Sequence, residues 1–201
     1  MAIGFDRARL RAAVGRYYEE PIARALIFLR VGPNAVTLFG LALACVTAYL
    51  IAIDELVWGG VMLLVSAGLD SIDGTVARLS GKASAAGALL DSVVDRVSEG
   101  VVLFGVLWLA VERGDERLVY LTYAAFVGSM LVSYVVARAQ GLGATRAVGL
   151  MSRPERVLVL AAGLLTGYVT IAVAVIAALA PLTALHRLWY GWSTLRKGGG
   201  E

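Results

Sequence analysis

An all-helical, polytopic membrane protein is what this sequence predicts, with six transmembrane helices behind an amphipathic juxtamembrane helix. Three observations predict it. Hydrophobic residues make up 59% of the chain and charged residues 16%, whereas a soluble domain is about half apolar and about a quarter charged. Several apolar runs approach the ~20 residues with which a helix crosses a bilayer. Within those runs apolar and polar residues do not alternate, which argues against a barrel. The mean hydropathy of +0.79 agrees. The net charge of +3 does not call for nucleic acid, because basic residues in a membrane protein report topology first. Cys45 is the one cysteine, so no internal disulfide is possible. It reads as a small buried packing residue.

The elements follow in order. Residues 6–20 set Arg7, Arg9, Arg11 and Arg16 among Leu10, Val14 and Tyr17. That pattern reads as an amphipathic helix on the membrane surface, with a disordered basic arm as the alternative. The arginines are spread along the segment without a short apolar core, which predicts no cleavable leader. After Pro21, a second amphipathic turn with Arg24 and Arg30 leads to Gly32-Pro33-Asn34. Spans are expected at about 34–53, 57–78, 86–111 and 118–138, separated by Asp54-Glu55, Ser80-Gly81-Lys82 and the cluster Glu112 to Arg117. A glycine-rich connector runs from Gly141 to Ser152, and Pro154 suits the first turn of a fifth span that ends near Gly167. A sixth is expected from about Thr170 to Trp192; the alternative is one long span and a surface tail, giving five crossings. The chain thus divides into a juxtamembrane segment 1–32, a membrane domain 33–195 and a tail 196–201.

With six spans, Arg113 and Arg117 are the only basic residues on the far side. That asymmetry makes the N-terminal side cytoplasmic, with the C-terminus beside it, in the cell membrane. Trp189, Tyr190 and Trp192 read as an interfacial belt, and Gly100, Gly105 and Gly128 as places where helices pack closely. Arg96 and Glu99 are spaced to pair along the third span, and His186 reads as solvated.

Chemistry concentrates between Asp70 and Asp95. Asp70, Asp73, Gly74 and Ala77 share one helix face, followed by Arg78. Gly87, Asp91 and Asp95 recur at four-residue intervals on the next helix. Carboxylates inside membrane spans are costly and mark functional sites. Two such helices packed antiparallel aim four carboxylates at one point, and like charges that close need a cation to stay ionised. Hard divalent ions such as Mg²⁺ take oxygen ligands, usually a few carboxylates plus substrate phosphates.

The complete run Asp70-x2-Asp73-Gly74-x2-Ala77-Arg78-x8-Gly87-x3-Asp91-x3-Asp95 resembles the signature of the CDP-alcohol phosphotransferases at every fixed position and both gaps. Pro33-Asn34-x2-Thr37 and Arg153-Pro154-Glu155-Arg156 extend the resemblance over nearly the whole chain. It implies six transmembrane helices, a homodimer, and transfer of a substituted phosphate from a CDP-linked lipid to a hydroxyl with release of CMP. Asp70, Asp73, Asp91 and Asp95 would then hold two divalent ions, Mg²⁺ or Mn²⁺. Asp70, Asp73, Gly74, Ala77 and Arg78 would bind CDP-diacylglycerol, helped by Asn34 and Thr37. Asp95 would take the proton of the attacking hydroxyl. Within the family, the order Ser133-Tyr134, Ala137-Arg138-Ala139 and Arg153-Pro154-Glu155-Arg156 is similar to the branch that uses inositol phosphate. A phosphorylated polyol needs cations beyond the metal site, and Arg138, Arg153, Arg156 and Arg187 are the candidates. Val136 stands where that branch carries a lysine, which keeps glycerol 3-phosphate as the alternative acceptor. A divalent-cation transporter is a remote alternative, because the acids cluster near one side of the membrane instead of forming a path.

Overall fold

The structure, a computed structural model, describes residues 18–144 and 151–198. Most of the surface helix expected over residues 6–20, half of the glycine-rich connector and the end of the tail lie outside the described residues. Among these there are seven helices and no strand: α1 (Glu20–Phe28), α2 (Pro33–Ala52), α3 (Leu56–Leu79), α4 (Ala85–Glu112), α5 (Glu116–Gly141), α6 (Arg153–Thr166) and α7 (Val169–Gly198). Four of them, α2, α3, α5 and α7, are long and apolar enough to cross a membrane. This is a multi-pass, all-helical membrane protein.

Packing divides the chain into two compact units. One is built on the described chain up to Leu43 together with Val65–Ser98, the other on Ala44–Leu64 together with the described chain from Glu99 onward.

In the first unit, α1 docks through Ala23, which is fully buried against a small core of Val36, Ile72 and Val76. Proline in the first turn of α1 costs no hydrogen bond, because that N–H has no intrahelical partner. α2 and α3 run antiparallel here. Thr37 Oγ1 donates to Asp73 Oδ2 at 2.6 Å, and one turn along Ser66 Oγ donates to the Gly40 carbonyl at 3.1 Å. Gly81, at φ +68°, supplies the left-handed residue that ends α3. α4 then starts on Ser84, whose Oγ accepts from the Gly87 N–H at 3.0 Å, an N-cap bond.

In the second unit, the buried faces of several helices merge into one apolar core around Ile51, Leu109, Leu118, Leu164 and Val173. α7 packs along α5 and against α6. Asp115 caps α5 by accepting from the Leu118 N–H at 2.9 Å. Gly167, at φ +78°, ends α6 in the left-handed conformation that glycine adopts freely, so α6 and α7 form a helical hairpin and not one long span. The expected close packing at two glycines is present. A Cβ at Gly105 would lie 2.5 Å from the Ala48 carbonyl oxygen, and one at Gly128 would lie 2.7 Å from the Pro181 ring. Pro181, which removes a backbone donor inside α7, is thus seated against a glycine of α5.

Two expectations change. Cys45 is exposed and not buried. The packed face of α2 runs through Ala44, Ala48 and Ile51, and Cys45 is rotated about 100° from Ala44. Arg96 donates to the Ser92 carbonyl of its own helix, and Glu99 pairs with Arg156 and not with Arg96.

Candidate metal and nucleotide site

α3 and α4 bring three of the four signature aspartates together. One carboxylate oxygen each from Asp70, Asp91 and Asp95 lies within 4.8 Å of the others, and all three residues are half-buried. Octahedral Mg²⁺ at about 2.1 Å from its ligands sets neighbouring ligand oxygens about 3 Å apart and opposite ones about 4.2 Å apart, so three oxygens within 4.8 Å of one another are near the spacing that a hard divalent cation would draw them to. Asp73 faces differently. Its carboxylate accepts the Thr37 hydroxyl and is 6% exposed.

Beside the cluster is a cavity of about 200 Å³ in the same unit, lined by Asn34, Thr37, Asp73, Gly74, Ala77 and Arg78. Gly87 and Asp91 complete the wall from α4, so Asp91 belongs both to the cluster and to the cavity. All the residues that the sequence assigns to the donor line this cavity, except Asp70, which stands in the cluster. Lys82 and Ser84 also line it and were not singled out in the sequence. A serine three residues before Gly87, at a helix start, is the signal that could have marked Ser84.

Arg78 is in the last turn of α3, where a cation is favoured by the helix dipole. Its Nη2 donates to Thr75 Oγ1 at 2.8 Å. A Cβ at Gly74 would lie 3.3 Å from Arg78 Nη1, so glycine leaves the guanidinium room to lie along the helix. Backbone and cation therefore meet the cavity together. An enclosure lined by carboxylates and an arginine can bind a phosphate chain bridged to cations.

The arginines assigned to an acceptor lie in the second unit. Arg138 is exposed in the last turn of α5 and Arg187 is half-buried on α7. Both are near the end of the α5–α7 pair where a Cβ at Gly191 would lie 3.2 Å from the Ala139 Cβ. Arg153 opens α6. Arg156 is 3% exposed and differs from the rest. Nε and Nη2 donate to the two Glu99 oxygens at 2.6 and 2.8 Å, and Nη1 donates to the Met151 carbonyl at 3.2 Å.

The model of a family described as CDP-alcohol phosphatidyltransferase matches residues 30–195. The chain is 40% identical over 152 residues to a phosphatidylinositol phosphate synthase of Corynebacterium glutamicum, covering 74% of this chain and 69% of that one. It is 33% identical over 180 residues to an archaetidylinositol phosphate synthase of Pyrococcus horikoshii, covering 89% and 93%. Among solved structures, the Mycobacterium tuberculosis phosphatidylinositol phosphate synthase with CDP-DAG bound superposes with a TM-score of 0.82 at 29% identity, covering 88% of this chain and 94% of that one. The same synthase in complex with manganese and citrate also gives 0.82 at 29% identity, with coverage of 88% and 90%.

Proposed function

Because the chain belongs to the CDP-alcohol phosphatidyltransferase family, we propose that it transfers the phosphatidyl group of CDP-diacylglycerol to a hydroxyl of inositol phosphate, giving phosphatidylinositol phosphate and CMP. The observation that carries this reading is the shared position of Asp91, between a three-carboxylate cluster and a cavity lined by Gly74, Ala77 and Arg78. The relatives named for inositol phosphate products support the acceptor.

Asp70, Asp91 and Asp95 hold divalent cations, Mg²⁺ or Mn²⁺, with Asp73 on the nucleotide side; two ions are expected. When bound, the cations stabilise negative charge that develops on the linked phosphates. The Arg78 guanidinium, a planar donor fork, grips the pyrophosphate. Gly74 and Ala77 let the cytidine approach the α3 backbone, and Asn34 and Thr37 offer it polar contacts. Asp95 accepts the proton of the attacking hydroxyl. The hydroxyl oxygen bonds to the lipid-bearing phosphorus as that phosphorus loses its bond to the CMP oxygen. Arg138, Arg153 and Arg187 bind the acceptor phosphate. Arg156 serves that pocket by fixing the first turn of α6, since its guanidinium nitrogens already serve Glu99 and Met151.

Helices α2 to α7 make six crossings. α4 carries Asp91 and Asp95 in its first half and Glu99 at its middle, and is apolar from Gly100 to Val111; α6 is a short crossing of 14 residues. Both termini and the site then face the cytosol across the cell membrane, and a second copy of the chain is the partner. The test is CMP release by purified protein given CDP-diacylglycerol and Mg²⁺, with inositol phosphate or glycerol 3-phosphate. Release with inositol phosphate alone supports the reading. Release with glycerol 3-phosphate alone overturns the acceptor, and none with either overturns the reaction.

A further inference from the structure

The segment before α1 reaches the signature arginine through one hydroxyl. Thr75 is 5% exposed, next to Gly74 on α3. Its Oγ1 donates to Glu19 Oε2 at 2.7 Å and accepts from Arg78 Nη2 at 2.8 Å. A threonine hydroxyl has one proton and two lone pairs. Glu19 is acceptor-only when ionised, and the guanidinium is donor-only, so the direction of both bonds is fixed. Glu19 itself is held in place, because α1 begins on it and Ala23, one turn on, is fully buried.

We infer that Glu19 and Thr75 are positioning residues for the donor: together they fix the Arg78 guanidinium against Gly74, in the orientation that receives the pyrophosphate. Gly74 bounds the guanidinium on one side, at 3.3 Å from where a Cβ would be. Thr75 Oγ1 holds the other terminal nitrogen, Nη2. A free arginine side chain samples many rotamers, and ordering it beforehand removes that entropy loss from substrate binding. Glu19, at the start of α1, thus takes part in nucleotide-lipid recognition without touching the ligand. The inference rests on the proposed reading of the site.

The test measures binding of CDP-diacylglycerol and KM and kcat for its turnover, in full-length protein in detergent. Thr75→Val keeps the volume and removes both bonds; Thr75→Ser keeps the hydroxyl. We expect Thr75→Val to weaken binding and raise the donor KM about tenfold, with kcat and the acceptor KM within about twofold. Thr75→Ser restores the wild-type KM, and Glu19→Ala follows Thr75→Val. In an Arg78→Ala background, Thr75→Val adds no further loss, because the hydroxyl acts through that arginine. An equal additional loss in that background, or a Thr75→Ser protein as weak as Thr75→Val, overturns the inference. Wild-type binding by Thr75→Val overturns it too and leaves the site reading standing. Wild-type protein that binds no CDP-diacylglycerol overturns the site reading itself.

Discussion

Asp95 shows what one residue is asked to do. Its carboxylate shares a cluster with Asp70 and Asp91, and the proposed reaction needs a proton acceptor there. A positioned base contributes about a hundredfold to ten-thousandfold. Asp95→Asn should therefore fold, elute as the wild type does, and release CMP at least about a hundredfold more slowly; wild-type turnover in that variant contradicts the role. The aspartates of the cluster and the Gly74, Ala77 and Arg78 wall of the cavity were legible because they repeat at helical spacing within one stretch of chain, whereas Asn34 and Thr37 came from the family resemblance and Lys82 and Ser84 gave no such signal. The Thr37–Asp73 bond was not, because its partners are 36 residues apart and meet only when α2 packs on α3. Nor was the Glu99–Arg156 pair, which joins residues 57 apart. Within the sequence, Glu99 had a nearer cation in Arg96, and only the packing of α6 decides between them.

At the scale of elements, the same pair ties α6 to α4. Side chains of Arg156 and Glu99 are 3% and 13% exposed, so removing one partner strands a buried charge. Arg156→Ala should cost about 3–5 kcal/mol, seen as a lower melting temperature in detergent. The double variant Arg156→Met with Glu99→Leu should recover much of that loss, because replacing both partners leaves no uncompensated charge. A double variant as unstable as the single one contradicts the account of the pair as a two-sided tie. Glycine contacts give a second test. Gly105→Val should lower the melting temperature, since even a Cβ would press on the Ala48 carbonyl; an unchanged value contradicts the close approach of α2 and α4. Helix limits were legible to within a few residues because proline, glycine and charged clusters punctuate apolar runs. The rotation of α2 was not. That helix is apolar on every side, so no stripe told which face would pack, and Cys45 went to the wrong one.

For the whole molecule, the turns carry the topology. Asp54 and Arg113 form an exposed ion pair between the α2–α3 and α4–α5 turns, so these two turns lie at one end. Exposed pairs contribute about 0–1 kcal/mol, and this one is informative for connectivity more than for stability. The proposed orientation, with the site on the cytosolic side, puts those turns outside. A cysteine placed at Arg113 should react with an impermeant maleimide added outside intact cells, in a Cys45→Ala background. A cysteine at Lys82 should react only after the cells are opened. The reverse pattern contradicts the cytosolic site. The membrane class was legible from composition, and the approach of Asp70, Asp91 and Asp95 from their spacing. The division of packing into two units was not, because it depends on how helices meet along their length. The most direct test of the central claim is CMP release from CDP-diacylglycerol and inositol phosphate as Mn²⁺ is titrated into metal-stripped protein. Release should rise from background to saturation with Mn²⁺ in the wild type and stay at background in Asp91→Asn; full release without metal, or a wild-type titration in Asp91→Asn, would contradict it.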